Sequence, residues 1–311
     1  MSARIIDGIS VRNQILAEIS RELSRHRRRA GDVPGLAILR VGDDPASVAY
    51  LRQKRQTAQL LGFTCQEYVF PAEAGEPELI GCIRRLNRHS AIHGILLQLP
   101  LPGHLRGESL IAAIDPDKDV DGLHPINAGR LFQGLPGPRP CTPLVVMRLL
   151  DSIGYDVAGK RAVVVGRSNI VGKPMALMLL AAHATATVCH RQSDLPAALQ
   201  QADVVVAALG APAAIQGDWI KSGAVVIDVG INRLDGRLVG DVDFTAAIRR
   251  ASFITPVPGG VGAMTVAMLM RNTLEAWLRQ GRGRTVRNDI TDTRPALRKR
   301  EPPPVCRSLG S

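Results

Sequence analysis

Aromatic side chains are scarce in this 311-residue chain: five Phe, three Tyr and two Trp, 3% of the residues. Binding by rows of stacked aromatics, as single-strand nucleic-acid readers use, is therefore not expected. No apolar run approaches the ~18 residues a membrane-spanning helix needs. The long uncharged stretch 174–189 contains Pro, Thr and His. The opening Met1-Ser2-Ala3-Arg4 soon meets Asp7 and Glu18, so neither a signal peptide nor an acid-free transit peptide is read there. Five cysteines occur with no CxxC pair. That spacing suits neither zinc nor a disulfide framework, and reduced thiols in a cytoplasmic protein are expected. HExxH and GxSxG are both missing, and no metal is expected.

What is present is globular. The chain is 45% hydrophobic and 22% charged, and its length suits two domains. The net charge is +11, which raises nucleic acid, a membrane surface or an anionic small molecule as partner. The excess is uneven. From Arg279 to the end there are nine Lys/Arg and three Asp/Glu, a net of +6. This segment is poor in apolar residues, holds Pro302-Pro303-Pro304, and reads as a disordered tail beginning after Gly281.

Hydrophobic periodicity gives an α/β alternation. Ile15, Leu16, Ile19 and Leu23 have helical spacing. Strands are expected at 35–41, 64–70 and 92–99, with helices at 46–61 and 76–87. Asp44-Pro45 supplies a carboxylate cap and a proline at the start of the first of these helices. Residues 115–143 are polar and rich in Gly and Pro, and read as an inter-domain region, with a helix at 143–153. The pattern then restarts with strands at 162–165, 186–190, 204–209 and 225–229, continuous apolar runs that suit a parallel sheet. A last helix spans 265–280.

The strand at 162–165 runs into Gly166-Arg167-Ser168-Asn169-Ile170-Val171-Gly172. A glycine-rich turn there lets backbone N–H groups approach a pyrophosphate at a helix N-terminus. It is not GxGxxG, and a plain βα turn is the alternative. Dinucleotide sites for NAD carry an acid at the end of the next strand. Here that strand ends His190-Arg191-Gln192-Ser193, and an arginine with a hydroxyl suits a 2′-phosphate, unless Arg191 is merely exposed.

Other candidates are weaker alone. Tyr50 and Lys54 share a helix face, where a partly desolvated lysine beside cations can act as a base; spacing alone favours a solvated face. Asp115, Asp117, Asp119 and Asp121 imitate the start of a calcium loop, but position twelve is Ala128 and no flanking helix pair is read. Turn chemistry, or a carboxylate receiving ligand N–H groups, remains. Gln98 ends a buried strand and either orients a reactive group or caps the strand. The loop from Pro256 through Pro258, Gly259 and Gly260 to Gly262 can bring backbone close to a flat ligand, or simply cross over.

Together these segments resemble the bifunctional methylenetetrahydrofolate dehydrogenase/cyclohydrolase family. The matching stretches include Asp44-Pro45-Ala46-Ser47 through Tyr50 and Lys54-Arg55, 94–102 (GILLQLPLP), 117–127 (DKDVDGLHPIN) and Pro140-Cys141-Thr142-Pro143. They continue with 166–174 (GRSNIVGKP), 228–233 (DVGINR) and 255–265 (TPVPGGVGAMT). One departure is Ala263, where the family usually has Pro; a slightly looser loop is expected. The resemblance implies two α/β domains with a cleft between them, the second a Rossmann-like NADP-binding parallel sheet. The implied division is a folate-binding catalytic domain at 1–139 with helix 264–281 packing back on it, an NADP domain at 140–263, and the basic tail at 282–311. The implied activity is oxidation of 5,10-methylenetetrahydrofolate with NADP, then hydrolysis to 10-formyltetrahydrofolate, in one-carbon metabolism and purine biosynthesis. It also implies a cytoplasmic homodimer, with no membrane or nucleic-acid partner. By the same resemblance Lys54, Gln98, Tyr50 and Asp121 are catalytic, and Tyr50, Asp121, Pro258, Gly259 and Gly260 contact folate. Gly166, Arg167, Ser168, Arg191, Ser193 and Ile231 hold NADP. The competing readings are another two-domain NAD(P) enzyme, such as an amino-acid or shikimate dehydrogenase, and a catalytically silent nucleic-acid binder.

Overall fold

Apolar runs without polar alternation become buried parallel strands in a computed structural model that describes residues 2–30 and 32–291. The first part contains β1 (Arg4–Ile5), α1 (Gly8–Ala30), β2 (Gly35–Val41), α2 (Pro45–Leu61), β3 (Thr64–Phe70), α3 (Glu76–Arg88) and β4 (Gly94–Leu97). Strands β3-β2-β4 form a parallel three-stranded sheet. Central β2 is buried along its whole length, while edge β3 leaves Val69 exposed.

The region 115–143, read as irregular, contains α5 (Pro125–Phe132), which follows α4 (Gly107–Ala112). Both are too short to show a period. Pro125 opens α5, and the ring of His124 caps it by accepting from Ile126 N. Helix α6 (Cys141–Ser152) begins two residues before the expected start. Pro143 still lies in its first turn, where no intrahelical donor is required.

The second part comprises β5 (Arg161–Val165), α7 (Gly172–Ala181), β6 (Thr185–Cys189), α8 (Leu195–Leu199), β7 (Val204–Ala207) and β8 (Val225–Asp228). A hairpin of β9 (Asn232–Leu234) and β10 (Arg237–Val239) follows, then α9 (Phe244–Ala247), β11 (Phe253–Ile254) and α10 (Thr265–Thr291). Six parallel strands make one sheet in the order β1-β11-β8-β7-β5-β6. Its centre is β-branched: Val164, Val205, Val206, Val226 and Ile227 are fully buried. β1 and β11, two residues each, give no sequence signal. Through them the start of the chain joins the second sheet.

Helix α10 packs on α1, α2, α6 and β4. It passes the expected stop at Gly281 and runs to Thr291. Glycine costs a helix interior only about 1 kcal/mol, and the first proline beyond it is Pro295. The rest of the expected tail, 292–311, lies outside the described residues. Among the described residues no helix is long and apolar enough to cross a membrane.

Candidate active site

Tyr50 and Lys54 stand one turn apart on α2. Lys54 Nζ lies 5.7 Å from the centre of the Tyr50 ring and donates to Gln98 Oε1 at 2.8 Å. Gln98 directly follows β4, and its Nε2 donates to Leu99 O at 2.6 Å, so the amide has one orientation. Lys54, Gln98 and Asp121 line a cavity of about 190 Å³, together with Pro140, Cys141 and Thr142 from the start of α6. Ile170, from the glycine-rich turn after β5, completes the wall, so both sheets contribute. Burial lowers the Lys54 pKa, opposed by the charge of Asp121. Burial likewise raises the Asp121 pKa, opposed by Lys54. The buried thiol of Cys141 is pushed well above its ordinary range, first by burial and then by Asp121, and stays protonated.

The four alternating carboxylates have separate uses. Asp115 Oδ1 accepts from Asp117 N at 2.9 Å, and Asp117 pairs with Arg130 at 2.8 Å. Buried Asp119 accepts from Gly122 N, His124 N and Asn127 Nδ2 at 2.8–3.0 Å. Asp121 is the one that lines the cavity. Helices α4 and α5 do flank this run, contrary to the loop reading, but Ala128 lies in α5 with no carboxylate to close a calcium loop.

A second cavity, about 420 Å³, is lined by Gly166, Arg167, Ser168, His190, Arg191 and Gln192, with Ala208 and Leu209 opposite. Gly166 has φ +136°, and a Cβ there would fall 2.1 Å from Ala208 O. Ser168 Oγ accepts from Val171 N at 3.1 Å, fixing the turn into α7. Asp194, the nearest acid after β6, caps α8 by accepting from Ala197 N. The cavity thus has a glycine cradle, a helix N-terminus and two arginines, and it fits a dinucleotide phosphate. Ser193 is not among its lining residues; its Oγ accepts from His190 N at 3.0 Å and braces the turn that carries Arg191.

Ile231 is 54% exposed and packs beside Gly262, where an added Cβ would be 2.9 Å from Ile231 Cδ1. Pro258, Gly259 and Gly260 do not line either cavity. They form a turn with a cis Val257–Pro258 bond. That loop reaches the first site through Thr265, whose Oγ1 donates to Gly262 O and lies 3.3 Å from the Tyr50 hydroxyl. Ala263 N donates to Gly260 O at 3.2 Å, a bond that proline could not make.

Sequence reasoning passed over Cys141 as a site residue, although it sits inside the Pro140-Cys141-Thr142-Pro143 motif that opens α6. It also passed over two buried carboxylates behind the second cavity. Asp241 accepts from Leu209 N, Gly210 N and Ala211 N at 2.6–3.0 Å, holding the cavity's far wall. Asp228 accepts from Gly230 N, Asp241 N and Val242 N, yet burial still pushes its pKa up to about 6.

The chain is similar to known proteins over most of its length. Residues 6–121 match the tetrahydrofolate dehydrogenase/cyclohydrolase catalytic domain, and residues 140–281 match the NAD(P)-binding domain of the same family. A bifunctional protein FolD 2 of Myxococcus xanthus is 56% identical over 282 residues, covering 90% of this chain and 98% of that protein. The crystal structure of the Campylobacter jejuni methylenetetrahydrofolate dehydrogenase/cyclohydrolase is 43% identical with a TM-score of 0.88, covering 90% of this chain and all of that one. The Trypanosoma brucei enzyme, solved with NADP cofactor and inhibitor, is 41% identical with a TM-score of 0.85, covering 91% and 99%. The chain therefore belongs to the tetrahydrofolate dehydrogenase/cyclohydrolase family, as a bifunctional enzyme that oxidises 5,10-methylenetetrahydrofolate to the 5,10-methenyl form and hydrolyses that to 10-formyltetrahydrofolate.

Proposed function

We propose that both steps run in the cleft lined by Lys54, Gln98 and Asp121, with NADP held by the turn at 166–172 and by Arg191. The observation that carries this reading is the Lys54 site itself: a half-buried lysine, oriented by Gln98, whose neutral amine is favoured by burial. NADP, when bound, accepts a hydride from the one-carbon bridge. The substrate's own nitrogens stabilise the resulting cation, so this step asks the chain mainly for alignment.

Hydrolysis asks for more. Water adding to the methenyl carbon must lose a proton, and the neutral Lys54 amine is the group to take it; the carbinolamine then opens by cleavage of its C–N5 bond, N5 taking up a proton, to give the formyl product. Gln98 Oε1 fixes where that amine points. Tyr50 packs along the folate ring, and Asp121 accepts the paired N–H donors of the pterin. Pro258, Gly259 and Gly260 give backbone contact to the folate, and Ile231 gives an apolar contact to the cofactor. Arg191 and Arg167 pair with phosphate, Arg191 with the 2′-phosphate, with Ser193 supporting its turn. The proposed domain division is 1–139 with α10 for folate and 140–263 for NADP, with β1 crossing to the second sheet. The reduced thiols fit a cytoplasmic enzyme.

The test is a two-step assay of the purified chain with 5,10-methylenetetrahydrofolate and either NADP⁺ or NAD⁺. The reading expects the methenyl species to form and then decay to the formyl product, with NADP⁺ preferred. Formation without decay would remove the cyclohydrolase role, and a preference for NAD⁺ would remove the 2′-phosphate role.

A further inference from the structure

Asn272 lies on the buried side of α10 and is 3% exposed. Asparagine is a poor helix former, and a buried amide is costly unless its hydrogen bonds are replaced. Its neighbour Thr273 is satisfied inside the helix, Oγ1 donating to Leu269 O at 2.8 Å. Asn272 reaches outwards instead. Its Nδ2 donates to Val120 O at 2.8 Å and to Arg139 O at 3.0 Å, and lies 3.5 Å from Cys141 Sγ.

These acceptors are not scattered. Val120 immediately precedes Asp121, and Arg139 leads into Pro140 and Cys141 on the other lip of the Lys54 cavity. The two lips already touch: a Cβ on Gly122, which has φ +72°, would fall 2.3 Å from the Arg139 carbonyl carbon. Asp119 holds the same segment from its other side through Gly122 N and His124 N. One amide nitrogen on α10 therefore ties together both backbone segments that flank Asp121.

We propose that Asn272 is a positioning residue for the folate site, clamping the Val120 and Arg139 carbonyls so that the Asp121 carboxylate is held facing Lys54. The inference rests on the roles assigned to Asp121 and Lys54 above. Without the clamp, segment 120–122 can shift away from the cavity while the rest of α10 keeps its packing. Asp121 then stops opposing the effect of burial on Lys54. The titratable groups facing Lys54 are Asp121, Cys141 and Cys65, and Asp121 is the foremost of those that hold its pKa up. The Lys54 pKa falls further, and the acid limb of the hydrolysis profile moves to lower pH.

The experiment is a double-mutant cycle on the full chain with Asn272→Leu and Asp121→Asn. Folate KM, NADP KM and the pH profile of methenyl hydrolysis are measured for each variant. Asn272→Asp keeps the size and removes the amide donors; Asn272→Leu is larger and removes the polarity as well, and both should raise folate KM. The clamp predicts a folate KM raised about tenfold through displacement of Asp121, with NADP KM within about twofold. It predicts an acid limb displaced in the same direction as in Asp121→Asn. It also predicts that Asn272→Leu adds little once Asp121 is already Asn. Full additivity of the two changes, or equal rises in folate and NADP KM, would overturn it and leave Asn272 a packing residue. If Asp121→Asn by itself leaves folate KM unchanged, the role of Asp121 falls first and the clamp falls with it.

Discussion

Arg191 borders the second cavity beside His190 and Gln192, at the tip of a strand where an NAD enzyme would carry an acid. A charge-assisted bond from its guanidinium to a 2′-phosphate adds affinity that NAD cannot use. Arg191→Ala should therefore raise the KM for NADP⁺ by about 10–100-fold and that for NAD⁺ by less than about threefold, as read by steady-state kinetics. Equal losses for both cofactors would count against the assignment. Its place beside this cavity was legible because the signal is local: the end of one strand and the missing acid. Lys54 was legible only through the family motif, since its helix spacing favoured a solvated face, and its burial was not legible. Its hydrogen-bond partner Gln98 and opposing charge Asp121 lie 44 and 67 positions away in sequence. Cys141 and Asn272 were illegible for the same reason. Their surroundings are made by segments that meet only after the sheets and α10 have packed, and neither residue type announces a partner.

Among the elements, the turns after β7 and β8 depend on Asp241 and Asp228, which receive the backbone donors that strand pairing leaves over. Burial raises Asp228 to about 6 in the folded chain, above its unfolded value. Its stabilising contribution is therefore complete below the unfolded pKa and is lost as pH rises through about 6. The melting temperature of the wild type relative to Asp228→Asn should fall between about pH 4 and pH 7, because asparagine cannot ionise. A difference that stays flat or rises over that interval would contradict the raised pKa. The turn after β5 makes its own prediction. Gly166→Ala, at φ +136° and against Ala208 O, should weaken NADP binding by about tenfold or more while leaving methenyl hydrolysis nearly intact. Equilibrium dialysis with NADP⁺ checks the first half and a hydrolysis assay the second. The long strands and helices around these turns were readable from apolar runs and periods. The elements α4, α5, β1, β11 and the β9–β10 hairpin were not, since they hold neither a continuous apolar run of four or more residues nor enough turns to show a helical period.

At the scale of the molecule, the charge of +11 divides into a +6 segment from Arg279 onwards and a catalytic body near +5. The proposed ligands of that body, a dinucleotide phosphate and a folate carboxylate, are both anionic. The six-stranded sheet ends at β6, whose outer edge has no strand partner among the described residues and exposes Val188 at 40%. Such an edge is a template for pairing with a second copy. The homodimer reading expects a dimer in light scattering after size exclusion, and a shift towards monomer in Val188→Lys. A wild-type monomer would overturn that reading. Residues following strands of both sheets line the Lys54 cavity, and Lys54 is proposed to give it its hydrolytic step. The direct measurement is methenyltetrahydrofolate hydrolysis by Lys54→Ala, read beside its affinity for NADP⁺. Hydrolysis should fall by about 10²–10⁴-fold with NADP⁺ affinity within about twofold of wild type. Hydrolysis at the wild-type rate would contradict it.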